Sequence, residues 1–598
     1  MKKIITLLSL ASITLMWSCG GNNDKEEKEN KVAKGGVFYG GVFRMNEIED
    51  FRNLYPLSVT EEVSHRITTQ IYEGLVKLSQ KDLAIQPSLA EKWEINSDAT
   101  TFTFYLRKGV MFHDDACFPD GKGREVTAKD FKYCFEKLCS SDASNQGFFV
   151  FKNRVVGADE YYESTIKKAP LAEGVKGVKV INDYTLEIDL EYSFAGFLNI
   201  LTMPFTKVFP KEAFDKYGIE MRSHCVGTGP FIAKEIKEGD AVILVRNNNY
   251  WDIDQFGNQL PYLDAIKFSF LKEKKSELLE FKKGNLEMVY RLPLEMIGDV
   301  LTEFGDAKKG GNSPFEMQVT PGMIVQYYGF QHKSDLFKNK LVRQAFNYAI
   351  DRDQIVNFTL QGDGRAAKYG VVPPSFKDYV STDIKGYTYD PAKAKKLLAE
   401  AGYPNGKGFP EIKLQLNSGG SINTQIAEVI LKMLEENLNV HIKMDVMPFA
   451  QHLENLETGK AMMWRSGWVA DYPDPETFLN LFYGKNVPAG LNEKSYLNPM
   501  RYQSAKFDSL FEASLKEIDF KKRFDLYRQA DQVALDDAAV MPIYYTENTR
   551  LVQLSVRGLD QNAMEYRDMT RVYLLPKDKI KGPEIQKPDS SVTEEETK

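Results

Sequence analysis

The stretch DPAKAKKLLAEAGYPNGKGFPEIKLQLNSGGSINTQIAEVILKMLEENLNVHIKMDVM, residues 390–447, decides the fold class. Asp390 stands where a helix N-cap belongs and Pro391 fills the first turn. Ala394, Leu397, Leu398 and Ala401 then make one face before Gly402 and Pro404 stop the helix. Ile412, Leu414 and Leu416 alternate as in a half-buried strand, Ile426 to Leu438 is amphipathic at helical spacing, and Ile442, Met444 and Val446 alternate again. The order predicts a strand, helix, strand unit.

The same alternation of element types extends outward in both directions. Gly41 to Met45 predicts a short strand, Ile67, Ile71 and Leu75 recur at helical spacing, and Thr101 to Arg107 alternates polar with apolar residues. Phe131 to Leu138 has helical spacing, and Val178 to Leu190 predicts two strands joined at Asn182-Asp183. The fold class is therefore α/β, mixed with α+β, and no repeat period is visible. With 598 residues the chain exceeds the size at which single cores stop growing, so two or more lobes are expected.

The N-terminus predicts export. Lys2 and Lys3 precede an apolar run from Ile4 to Trp17, too short to span a bilayer, and then Ser18 and Cys19. Residues 1–18 are expected to be a signal peptide. From Gly20 to Lys34 the composition is Gly, Asn, Glu and Lys with almost nothing to bury, which predicts a flexible tether over 19–36. The end of the chain, residues 577–598, is rich in Lys, Glu, Pro and Ser and predicts a disordered tail. Removing Lys2 and Lys3 leaves 75 basic against 84 acidic residues, a net charge of about −9. That balance, without basic clusters, argues against nucleic acid. Cys117, Cys134, Cys139 and Cys225 admit either one disulfide or buried free thiols.

Catalytic motifs are missing. The six histidines form no metalloprotease pair, and there is no nucleophile elbow and no phosphate-binding loop. His113-Asp114-Asp115 with Cys117 is a local cluster of ligand-type side chains, but it falls short of a zinc or calcium ligand set. It reads as a turn whose Asp side chains bond nearby amides. No enzyme, cofactor or metal site is expected.

Several separated motifs resemble the periplasmic oligopeptide and dipeptide binding proteins, extracellular solute-binding family 5 of ABC importers. In the family's order stand Tyr72-Glu73-Gly74-Leu75, Pro87 to Trp93, Thr127-Ala128-Lys129-Asp130-Phe131 and Gly227-Thr228-Gly229-Pro230-Phe231. Asn249-Tyr250-Trp251, Val342 to Ala345 with Tyr348 to Asp351, the helix Ala392 to Gly402, and Gly467-Trp468 with Asp471 follow. Between Phe112 and Thr127 the chain departs from the family by an insertion. Met16, Trp17, Ser18 and Cys19 resemble a lipobox, which implies lipidation of Cys19, although Trp17 departs from the usual small residue.

The resemblance implies a two-lobed clamp of three domains that closes on its ligand. Domain I would comprise 37–70, 205–272 and 545–576, domain II 71–204 and domain III 273–544. It implies a monomeric binding protein of the cell envelope, held to the membrane by its lipid alone. Such a protein hands short peptides to permease subunits coupled to ATPases. Asp471 matches the family's carboxylate for the ligand's ammonium, and the backbone of Gly467, Trp468 and Val469 would pair the ligand. Arg465 would meet the peptide's carboxylate. Thr60, Glu61 and Glu62 map to the opposing strand, and Phe148 and Phe149 are candidates for an aromatic wall. The same fold tuned to an oligosaccharide or a metal chelate, and an exported hydrolase, are the competing readings.

Overall fold

The computed structural model describes residues 31–580, except 195, 310–312, 377–378, 420, 491–492 and 518. Cys19, the signal segment and most of the C-terminal tail lie outside the described residues. Three larger sheets organise the chain. The first has the strand order Phe231–Lys237, Ala241–Arg246, Ala265–Ser269, Val42–Asn46, antiparallel except for the last pair. The second runs Ala90–Ile95, Thr101–Leu106, Thr185–Asp189, Val178–Asn182, wholly antiparallel. Asn182 and Asp183 lie at its predicted hairpin. The third is mixed, with Met288–Tyr290, Val540–Gln553, Phe315–Phe330, Met463–Val469, Ile412–Asn417 and Ile442–Met447 in that order.

The 390–447 stretch folds as its pattern predicts. Asp390 accepts from the Lys393 N–H at 2.9 Å and so caps the helix Pro391–Glu400, a contact worth about 1 kcal/mol. Ile412–Asn417 and Ile442–Met447 pair in parallel across the helix Ser421–Leu438. Ala394, Leu398, Ile426, Ala427, Ile430, Leu434, Leu414 and Leu416 enter one buried apolar cluster. A larger cluster joins the first two sheets to the C-terminal helices Ala505–Lys516 and Phe520–Asp536.

The third sheet fixes the 463–469 strand from beneath. Trp464 is fully buried, and a Cβ at Gly329 would lie 2.4 Å from its ring, so only glycine lets Phe315–Phe330 approach. Burying such an indole contributes roughly 2–3 kcal/mol.

Two expected boundaries meet strand pairing. Val540–Gln553 pairs with Phe315–Phe330 from Val540 through Gln553, so the third sheet continues past residue 544, where the domain III boundary was expected. The ladder breaks register between Pro321 and Val325, opposite Glu547 and Tyr545, and that irregularity stands beside the expected boundary. At the other end, Lys31–Val32 pairs with Phe38–Tyr39, and the Lys34 N–H donates to Asn258 Oδ1 at 3.1 Å. Residues 31–36 of the expected tether are therefore held in place, because a distant asparagine supplies backbone bonds that composition does not reveal.

The four described cysteines are free thiols. In the insertion, Asp115 accepts from the Cys117 N–H at 2.7 Å and the Tyr217 hydroxyl at 2.7 Å, and Asp114 accepts from the Gly123 N–H at 3.0 Å. The first and third are turn contacts, whereas Tyr217 ties the insertion to the helix Lys211–Tyr217. Among the described residues no helix is long and apolar enough to cross a membrane.

Candidate functional site

The strand Met463–Val469 is paired on one edge along its whole length with Phe315–Phe330. On its other edge Ile412–Asn417 reaches only Met463 and Trp464. From Arg465 onward that second edge lacks a strand partner among the described residues, and it faces a cavity of about 240 Å³. The Ala470 N–H donates to the Met323 carbonyl at 2.9 Å, on the paired side. Backbone direction alternates along a strand, so Trp468 also bonds toward the paired side, whereas Arg465, Gly467 and Val469 present their groups to the open edge. The Arg465 carbonyl is taken: His452 Nε2 lies 3.0 Å from it, while His452 Nδ1 faces the Gln415 amide at 2.9 Å. With Gln415 donating to Nδ1, the proton sits on Nε2, and burial holds the ring pKa down near 4. What remains at the open edge is the N–H and C=O of Gly467 and of Val469. Trp468 contributes its side chain rather than its backbone.

Asp471 closes one end of this edge. Its Oδ2 accepts from the Thr477 hydroxyl at 3.2 Å, and the same oxygen of Thr477 accepts from the Asp471 N–H and the Trp468 indole N–H, each at 3.2 Å. Among the described residues no ion pair to Asp471 forms. Burial raises its pKa to about 7, against the single opposing bond from Thr477. Helix capping does not occupy it, because Asp474 accepts from the Glu476 N–H at 3.0 Å and pairs with Arg523 at 2.7 Å.

The opposite wall is the extended backbone Val59 to Glu61, entering the helix Glu62–Thr68. Thr60, Glu61 and Glu62 all line the cavity. The carboxylates are committed elsewhere: Glu61 accepts from the Arg52 N–H at 2.8 Å and the Ser64 hydroxyl at 2.5 Å, and Glu62 pairs with Arg66. Against the cost of burial, Arg66, Arg291 and Arg567 hold Glu62 below the usual carboxylate range. This wall therefore presents backbone to the cavity, chiefly the Thr60 N–H. The walls touch: the Tyr496 hydroxyl donates to the Thr60 carbonyl at 3.4 Å, and Arg52 meets Glu457 at 3.4 Å. The clamp is closed.

Phe148 and Phe149 do not line this cavity. Phe148 stacks on Tyr162 at 4.0 Å, and Phe149 packs behind Phe205 and Tyr496 at 5.5 and 5.8 Å. The aromatic wall is instead Phe205, Tyr496, Trp468 and Phe449, with Trp468 and Tyr496 5.7 Å apart.

A second chamber, also about 240 Å³, opens beyond a waist formed by Glu61, Glu62, Arg291, Gln326, Phe449 and Arg465. Arg465 bonds two neutral amides, Asn417 Oδ1 at 3.3 Å and Gln326 Oε1. Sequence reading missed Arg291, Gln326, Thr477 and Tyr496. Thr477 had a visible signal, six residues after Asp471 and just inside the helix Glu476–Leu479; the others sit in segments without any motif.

Comparison with known proteins fits this geometry. The periplasmic oligopeptide-binding protein OppA of Escherichia coli is 28% identical over 521 residues, covering 86% of this chain and 88% of that one. Heme-binding protein A of Haemophilus influenzae is 27% identical, covering 94% and 98%. Among solved structures, the periplasmic binding protein DppA of Helicobacter pylori in complex with the peptide STSA superposes with a TM-score of 0.77 at 25% identity, covering 90% of this chain and 99% of that one. The two-lobed clamp of these proteins is the fold of this chain. The family model for the bacterial extracellular solute-binding proteins, family 5 middle region, matches residues 84–489, more than half of the sequence, and the chain belongs to that family.

Proposed function

We propose that the protein captures short peptides in the cleft between its lobes and delivers them to the permease subunits of an ATP-driven importer. The observation that carries this reading is the open edge at Gly467 and Val469 with an unpaired carboxylate, Asp471, at its end. A peptide added as an extra strand bonds those backbone groups whatever its side chains, and its ammonium neutralises Asp471. Trp468, Tyr496 and Phe205 exclude water around it, and Thr60 lies across from it.

Binding is the task, not catalysis. Asp471 shares this chamber with Glu61, whose bonds go to the Arg52 N–H and the Thr60 and Ser64 hydroxyls, and among the described residues no activated nucleophile stands beside it: His452 is held neutral with both ring nitrogens engaged, and His65 is likewise pushed down to about 4 by burial and by Lys207 and Arg66. In this reading the chain is a monomeric lipoprotein of the cell envelope, anchored through Cys19. It has three domains, the third spanning 273–544. The peptide-bound DppA and the name of OppA support the ligand class.

The test is native mass spectrometry of gently purified mature protein beside the variant Asp471→Ala. A mixture of short peptides on the wild type, lost from the variant, is the expected result. A single non-peptide mass, such as a tetrapyrrole, or cleavage of added peptides would overturn it.

A further inference from the structure

The charges around the waist do not balance. Arg66, Arg550 and Arg567 form a closed network with Glu47, Glu62 and Glu565: Arg66 pairs with Glu47 and Glu62, Arg567 with Glu47 and Glu565, and Arg550 with Glu565. Three guanidiniums meet three carboxylates, and none of the three is left over. Arg291 and Arg465, the two cations at the waist, stand outside this network. No carboxylate of a described residue comes within 4.0 Å of either.

Arg291 is the more exposed case chemically. Its Nε and Nη2 are buried and have no hydrogen-bond partner, and its guanidinium rests over the Tyr290 ring at 4.8 Å. Its backbone adopts φ of 60°, in the left-handed region that non-glycine residues rarely enter. The Arg291 N–H donates to the Thr549 carbonyl at 2.8 Å, which pins the residue in that conformation and directs its side chain to both chambers. Strain of this kind persists where the surroundings impose it, and it collects at ligand sites. A buried guanidinium with unused donors is costly unless an anion arrives to meet it.

The second chamber also holds carboxyls that act on Arg291 and Arg465 through space without bonding them, and burial outweighs that attraction at Glu49 and Asp363. Glu49 accepts from the Asn417 amide at 3.4 Å and burial raises its pKa to about 7; Asp363 is likewise pushed up by burial and bonds the Thr549 hydroxyl at 3.4 Å.

We infer that Arg291 and Arg465 form a two-guanidinium seat for a ligand bearing two carboxylates, so that the preferred cargo is a short peptide with an acidic side chain near its C-terminus. The inference rests on the peptide reading above. With the ammonium at Asp471 and the ligand extended along Gly467 and Val469, roughly 3.3 Å per residue carries a chain of about three or four residues to the level of Arg465. Arg465, held by two neutral amides, takes the terminal carboxylate. Arg291, across the waist, lines both chambers and takes the acidic side chain on its guanidinium, turning its unused donors toward the carboxylate as the ligand arrives.

The experiment is isothermal titration of ligand-stripped, full-length mature protein and its Arg291→Gln variant with Ala-Ala-Glu and Ala-Glu-Ala, each against its glutamine counterpart, and with Ala-Ala-Ala. In the wild type one glutamate peptide should bind at least about tenfold tighter than its glutamine isostere, the size expected of one charge-assisted contact. Within the variant that ratio should fall to about twofold or less. Because the ratio is taken within each protein, general damage to the variant cancels. Equal affinity for glutamate and glutamine peptides in the wild type overturns the inference and leaves the peptide reading intact. So does a variant that weakens all five peptides alike, since Arg291 would then hold the terminal carboxylate. Failure of the wild type to bind any of the five removes the peptide reading, and the inference with it.

Discussion

The Thr477 hydroxyl and the Asp471 carboxylate stand 3.2 Å apart, and the same hydroxyl oxygen receives the Asp471 N–H and the Trp468 indole N–H. One buried hydroxyl thereby sets the carboxylate, the turn that carries it and the aromatic wall beside it. Thr477→Val keeps the shape and removes all three bonds. Two donors and an acceptor are then left without a partner, at about 1–3 kcal/mol each in a buried site. Peptide affinity should fall about tenfold or more with the protein still folded, read by titration calorimetry and a thermal melt. An unchanged affinity would show that Asp471 needs no support from Thr477.

The pH behaviour of Asp471 follows from its raised pKa, about 7 in the ligand-free fold against 3.8 ordinarily. Between those values the folded state holds a proton that the unfolded state has lost. Stability from this group is therefore present at acid pH and declines as pH rises from about 4 through about 7. Binding runs the opposite way, since the ligand's ammonium needs the carboxylate ionised. Affinity should rise by up to about tenfold per pH unit below 7. It should level off, then decline above about 8 as the peptide's own amine loses its proton. Asp471→Asn should flatten the acid limb of binding and the acid-to-neutral fall in melting temperature together. Losing only one of the two would separate Asp471 from ligand contact.

The strand, helix, strand unit of 390–447 was legible because cap, proline, apolar face and stop are all local, and each survives folding unchanged. Asp471 and Gly467 were legible because they share a short run with recognisable neighbours. Phe148 and Phe149 were not, since which aromatic reaches the cleft depends on Phe205 and Tyr496, 56 and 347 residues after Phe149, packing in front of it. Arg291 carries no motif at all. Its significance lies in which carboxylates its neighbours have already engaged, and that is a property of the assembled core. The hairpin at Lys31 shows the same limit, because its partner Asn258 lies more than two hundred residues away.

Arg52 and Glu457 bridge the mouth of the cleft, between the segment before the helix Glu62–Thr68 and the helix Phe449–Glu457. Glu457 is 4% exposed, burial raises its pKa, and Arg52 is the first group opposing that rise. Arg52→Ala removes a contact made in the closed clamp and leaves Glu457 with Lys494 at 3.8 Å. The closed state should lose about 1 kcal/mol, which weakens ligand binding about three- to tenfold. Small-angle scattering should show a larger radius for the ligand-free variant than for the wild type, and equal radii once both are saturated with peptide. Equal radii without ligand would mean that the bridge does not bias closure.

Gly467 tests the open edge without touching a charge. A Cβ built there would lie 2.7 Å from Gln326 Oε1, the oxygen that accepts from Arg465 Nη2. The obstacle is the far end of a flexible side chain, so Gly467→Ala should leave the melting temperature within a few degrees, in the range of a shift of about 1 kcal/mol or less. Gln326 must give way, however, and Arg465 loses one of the two amides that hold it. The added methyl also stands at the edge where the ligand's backbone pairs. Affinity for Ala-Ala-Ala should therefore fall at least about tenfold. Arg465→Gln measured in the same way separates the two causes. If Gly467→Ala weakens binding equally with Arg465 present or replaced, the methyl acts directly on the paired ligand; if the two losses overlap in the double variant, it acts through Gln326 and the arginine. Full affinity in Gly467→Ala would exclude ligand pairing at this edge.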